Sequence, residues 1–104
     1  MANGVIVTVN WILKPESVDK FVATLETMFP QTRLRDGFRN IRLLRSETDP
    51  NQFILIEEWD AARNFQDYVA WRTGRGDMEV FLAMVAAQPQ IAIWGITPLA
   101  AAEA

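Results

Sequence analysis

The chain contains neither cysteine nor histidine. Without cysteine there is no disulfide, no thiolate nucleophile and no zinc–thiolate site. Without histidine, Ser-His and Cys-His nucleophiles cannot be assembled within one subunit, nor can His-ligated zinc or haem. No metal and no cofactor is therefore expected. Positive charge is also scarce: 10 Lys+Arg against 13 Asp+Glu give a net charge of -3, which offers no field for a phosphate backbone. Long hydrophobic runs are missing too. The opening "MANGVIVTVNWIL" has no basic n-region, and its apolar run carries Thr8 and Asn10 and is too short to span a bilayer. A cytoplasmic protein with no nucleic-acid and no membrane partner is the expectation. Repeats and linkers are absent, so the 104 residues read as one domain, 1–104, with a core of about 4–97 and a tail 98–104 whose order is left open. Half the residues are hydrophobic, enough for a sizeable core.

The elements follow from periodicity. "VIVTVNWIL" (5–13) and "FILIEEW" (53–59) are apolar on both parities, as strands covered on both faces are. "FRNIRLLRSE" (38–47) is more polar and reads as an edge strand, "TDPNQ" (48–52) as a turn, and "PQIAIWGIT" (89–97) as a last strand. Val18, Phe21, Val22, Leu25, Met28 and Phe29 fall at helical spacing, and Pro30 is expected to kink or end that helix. Gly37 supplies the break before the next strand. A second helix, with Asp60 as its N-cap, carries Phe65, Tyr68, Val69 and Arg72 on one stripe and Trp71 at its rim. A third carries Met78, Phe81, Leu82 and Val85, with Val80 and Met84 as a second apolar side.

Between those two helices lies "TGRGD", which holds a G-x-G and an adhesion-like tripeptide. A phosphate loop follows a strand, opens a helix and continues into a Lys-Ser/Thr pair. Gly74 and Gly76 follow a helix and lack that pair, so the segment reads as a hinge in which Gly74 ends one helix and Asp77 caps the next. Over an apolar cavity such a break can serve as a lid.

The order βαββα(α)β describes an α+β, ferredoxin-like antiparallel sheet with its helices on one face. Its first and third strands are central, and here they are the two apolar on both parities. The sheet face away from the helices is then apolar as well, which predicts a homodimer formed through the open sheet face.

The chain resembles the antibiotic biosynthesis monooxygenase family through "VTVNWILKPESVDKFVATLE", "FPQTRLRDG", "TDPNQFILIEEWD" and "YVAWRTGRGDMEVFLA", over about residues 4–97. The most specific piece is the turn–strand–tryptophan unit "DPNQFILIEEW" (49–59) followed by an aromatic helix. The resemblance implies a dimeric α+β barrel with an apolar cavity between helices and sheet in each subunit. Members include cofactor-free oxygenases of anthrones and quinols and haem-degrading enzymes. The haem-degrading branch uses an axial histidine on the helix after the tryptophan strand; here that helix reads "RNFQDYVAWRTG" and has none. The anthrone oxygenases carry a tryptophan at the end of the third strand, which Trp59 matches. They also use an asparagine earlier in that strand and a tyrosine early in the next helix. Here Leu55 and its neighbours include no asparagine, the early aromatic is Phe65, and Tyr68 comes a turn later; Asn10 on the neighbouring strand could supply the amide.

These residues set the expectation for the site. Asn10, Tyr68 and Trp59 are the catalytic candidates, Asn10 or Tyr68 holding an anion; Phe65, Trp71 and Arg72 would bind a small aromatic substrate. The expected activity is a cofactor-independent monooxygenase for a quinol- or anthrone-like molecule. The alternative is a non-catalytic module binding a small apolar metabolite. An RNA-recognition domain shares the strand order, but "FILIEEW" is acidic where RNA needs positive charge. Each candidate also has a plainer reading. Trp59 and Phe65 would close the core, and Asn10 means nothing if it faces solvent. Trp11 and Trp94 could fill the dimer seam. Glu57 and Glu58 point to opposite faces; whichever points inward could pair with Arg42 or Arg45 or act as a general base.

Overall fold

A computed structural model describes residues 3–102. The elements run β1 (Val5–Ile12), α1 (Val18–Thr32), β2 (Phe38–Arg45), β3 (Gln52–Trp59), α2 (Ala62–Gly74), α3 (Asp77–Leu82) and β4 (Gln90–Gly95), with a 3-10 turn at Pro15–Ser17. All four strands form one antiparallel sheet in the order β2-β3-β1-β4. The fold is α+β and ferredoxin-like, and β1 and β3, the strands apolar on both parities, hold its centre.

Strand alternation sorts the sheet into two faces. Val7, Val9 and Trp11 of β1 and Phe53, Leu55, Glu57 and Trp59 of β3 are buried under the helices. Phe21 and Leu25 of α1, Phe65 of α2 and Phe81 of α3 close over them. The centre of this core is aromatic: Phe21 lies 5.3 Å from Trp11, 5.6 Å from Phe53 and 5.8 Å from Phe81 between ring centroids. On the other face Ile12, Leu44 and Trp94 are exposed.

Several local expectations are corrected. Helix α1 continues through Pro30 and stops only after Thr32. The proline stands two residues from the helix end on the exposed side, where the Glu26 carbonyl that loses its N–H partner is open to water. Neither Asp60 nor Asp77 caps a helix; Ala61 and Gly76 hold those positions without a side-chain bond. Arginines claim both carboxylates instead: Arg39 Nε donates to Asp60 at 2.7 Å, and Arg72 and Arg75 each donate to Asp77 at 3.1 Å. Helix α3 is only six residues long, so Leu82 is exposed and Val85 falls beyond it. The chain then pairs Val85 with Leu13, which buries Met84. Residues 96–102 carry no helix or strand; 103–104 of the tail lie outside the described residues. Among the described residues no helix is long and apolar enough to cross a membrane.

The two glycines of "TGRG" differ in what they require. Gly76 has φ 85, a left-handed conformation that strains any side chain, while Gly74 ends α2 with open space around it. Gly76→Ala is expected to destabilise by about 1 kcal/mol. Gly74→Ala is expected to stabilise by roughly 0.5–1 kcal/mol. Urea unfolding of the two variants reads this opposite sign, which a phosphate-binding G-x-G has no reason to produce.

Candidate active site

Between the sheet and the helices lies a cavity of about 210 Å³. Val9, Trp11, Leu55 and Glu57 of the central strands form its floor, and Phe65, Tyr68 and Arg72 of α2 form one wall. Met78, Phe81 and Leu82 of α3 and Ile91 of β4 complete it. Helix α3, bounded by the Gly76 break, thus stands directly over the cavity.

Glu57 is the one acidic group in this apolar lining. It is 3% exposed and accepts a hydrogen bond from Trp59 Nε1 at 2.9 Å. Burial pushes its carboxyl up to about 7, against the smaller opposing effects of the Trp59 hydrogen bond and the Arg72 charge. Neither Arg42 nor Arg45 pairs with it. Arg42 lies opposite Ile56, on the other face of the sheet, and Arg45 stacks on Phe53 at 5.1 Å. The second acid, Glu58, faces away from the helices and sits 3.6 Å from Arg39.

The raised value makes stability depend on pH. Below the ordinary carboxylate value of 4.5, Glu57 is neutral in both folded and unfolded chains and carries no penalty. Between 4.5 and about 7 the unfolded chain ionises first, so stability falls as pH rises, and above about 7 the loss is complete. A shift of this size corresponds to about 3 kcal/mol. Glu57→Gln keeps an acceptor for Trp59 and removes the titration. Its stability relative to the native chain is expected to rise between pH 5 and 8, as chemical denaturation at each pH would read.

Arg72, 1% exposed, organises the helices. Its Nε donates to the Tyr68 hydroxyl at 3.0 Å. One terminal nitrogen donates to Gln31 Oε1 at 2.8 Å and Asp77 at 3.1 Å, the other to the Met28 carbonyl at 3.2 Å and Thr32 Oγ1 at 3.1 Å. All five guanidinium hydrogens are engaged, joining α1, α2 and α3. Tyr68 is also bonded to Thr32 Oγ1 at 2.9 Å and stacks 5.1 Å from Trp59.

The structure brings Tyr68, Phe65 and Arg72 together on the cavity wall and separates the other three candidates. Asn10 lies on the opposite face of the sheet, where its Oδ1 accepts from Gln52 Nε2 at 3.1 Å; even positions of β1 point away from the helices. Trp59 is fully buried and does not line the cavity; it touches the lining through Glu57, Tyr68 and Phe65. Trp71 is outside the cavity, stacked against the guanidinium groups of Arg35 at 4.2 Å, Arg72 at 4.6 Å and Arg75 at 5.0 Å. Trp11, which the sequence left open as a filler of a dimer seam, lines the cavity.

The family model for antibiotic biosynthesis monooxygenases matches residues 4–75, and the chain belongs to that family. Among solved structures it is similar to a conserved protein from Methanosarcina mazei Go1, with 15% identity, TM-score 0.80, and coverage of 88% of this chain and 90% of that one. It is also similar to an antibiotic biosynthesis monooxygenase, with 19% identity, TM-score 0.79, and coverage of 90% and 99%. Rv0793 from Mycobacterium tuberculosis shows 18% identity, TM-score 0.79, and coverage of 97% and 100%. These likenesses establish the fold. No curated protein matches the sequence.

Proposed function

We propose that the protein is a cofactor-independent monooxygenase that oxidises an acidic, conjugated aromatic substrate of the quinol or anthrone kind. The observation that carries this reading is the Glu57 carboxyl, buried in the floor of a largely apolar cavity and raised by that burial to about 7. A group with that value accepts a proton at neutral pH and returns it within the same reaction. For an anthrone-like methylene, Glu57 takes one C–H proton. The carbanion gives an electron to dioxygen, and the two radicals combine as a peroxide anion, which Glu57 reprotonates. Loss of the second C–H proton and of hydroxide leaves the ketone and one water. In balance, one methylene and one dioxygen give one ketone and one water, with every electron supplied by the substrate. The protein's part is to exclude water, hold the ring system and move the proton.

A second reading, binding of an apolar metabolite without turnover, is favoured by the way Tyr68 and Arg72 direct their hydrogen bonds to α1 and to each other. Oxygen uptake by chelator-treated protein offered anthrones and hydroquinones separates the two. The expected result is uptake above autoxidation with one oxygen atom recovered in the product. Saturable binding without uptake would replace the oxygenase with the binding module.

We also propose that a second copy of the chain covers the open sheet face. Ile12, Leu44 and Trp94 present large apolar surface there, and stable soluble proteins rarely leave such a patch in water. Sedimentation equilibrium decides it.

A further inference from the structure

We propose that the indole N–H of Trp11 is the cavity's oxyanion donor. Trp11 is 4% exposed, lines the cavity, and packs against Phe21 and Phe81. Its Nε1 is the one buried side-chain nitrogen or oxygen among the described residues without a hydrogen-bond partner. Buried donors are almost always satisfied, so an unmatched, fully covered N–H on a residue that lines the cavity calls for an acceptor that a small shift of the indole brings within reach.

The inference rests on the oxygenase reading for the identity of the step it serves. Proton removal by Glu57 leaves a negative charge that must settle on an oxygen and be met by a preorganised donor. The other candidates are occupied or elsewhere. The five N–H groups of Arg72 are bonded within the protein, Tyr68 is tied to Thr32 and Arg72, and Trp59 Nε1 donates to Glu57. Asn10 is on the far side of the sheet. Trp11 remains.

Its position also constrains the substrate. Glu57 lies opposite Val7 and Trp11 lies opposite Phe53, so the two anchors stand four residues apart along β1 on the same face. That is roughly 13 Å of strand. The floor between them is Val9 and Leu55. A simple ketone, whose acidic carbon adjoins its carbonyl, does not reach both. The fit is to a conjugated ring system whose acidic group and carbonyl oxygen lie on opposite sides of a ring. An apolar cavity of about 150 Å³ holds benzene, so a volume of about 210 Å³ suits a fused-ring molecule with one edge at the mouth.

The test uses 1-tetralone and tetralin, which differ by one carbonyl oxygen, at pH 8.5, where Glu57 is ionised and repels that oxygen. Indole N–H resonances are followed by NMR, and Trp11→Phe, which keeps an aromatic ring and removes the donor, assigns the signal. The expected result is a downfield shift of the Trp11 indole proton with tetralone and none with tetralin. Trp11→Phe is expected to weaken tetralone binding roughly 3- to 10-fold more than it weakens tetralin binding, the difference being the worth of one neutral hydrogen bond. An unmoved Trp11 indole proton, or an equal weakening of both probes, overturns the proposal. Because the readout is binding, a protein that takes up no oxygen yet shows the tetralone effect would lose the oxygenase reading and keep the donor.

Discussion

Replacing Glu57 with glutamine is expected to lower oxygen uptake by roughly 10²- to 10⁴-fold, the usual contribution of a positioned general base. Glutamine is nearly isosteric, still accepts from Trp59 Nε1, and removes a buried ionisable group, so the variant is expected to fold at least as well as the native chain above pH 7. Loss of turnover in a protein of equal or greater stability separates chemistry from folding. A Glu57→Gln protein with native uptake would show that the carboxyl takes no proton from the substrate and that its raised value is a by-product of burial.

The second large effect concerns stability. Arg72→Met removes a guanidinium that serves Tyr68, Gln31, Asp77, Met28 and Thr32. The methionine fills the apolar part of the site but leaves buried acceptors unmatched. Breaking a buried ion pair from one side costs about 3–5 kcal/mol, which in a domain of this size lowers Tm by roughly 15–30 °C. Lysine is expected to recover little, because one ammonium cannot replace the fork that spans three helices. Asp77→Asn should cost much less, since Asp77 is 22% exposed and keeps Arg75 as a neighbour. Differential scanning calorimetry of the three variants reads the ranking. If Arg72→Met melts with the native protein, Arg72 does not hold the helices together and Tyr68 needs another explanation for its position.

The strand order is legible in the sequence because β1 and β3 are apolar on both parities, and the sheet order puts those two at its centre. The same property hides the phase of β1. With Ile6, Thr8 and Ile12 on one parity and Val7, Val9 and Trp11 on the other, nothing within that strand says which set faces the helices. The expectation of Asn10 in the cavity, and the option of Trp11 in the seam, therefore have the phase reversed. The signal lies in β3, where Phe53, Leu55 and Trp59 share a parity that carries Glu57 with them, so the large aromatics mark the inward face. Trp94, opposite Ile6, does lie on the open face.

Arg72 is visible in the sequence as a charge on an apolar stripe, but its role is not. Its partners at Met28, Gln31 and Thr32 lie 40 or more positions away on α1, and periodicity within α2 carries no information about them. The same limit explains Asp60, whose carboxylate meets Arg39 from 21 positions away. Asp77 is held by its sequence neighbours Arg72 and Arg75, which take the carboxylate that would have capped the helix.

The pH dependence of oxygen uptake with an anthrone as substrate, in the native protein and in Glu57→Gln, tests the role of the buried carboxyl most directly. The native rate is expected to rise with pH through a midpoint near 7, as the carboxyl ionises, and that limb is expected to vanish in the variant. A rate that follows only the substrate's own ionisation, identically in both proteins, would contradict a proton transfer to Glu57.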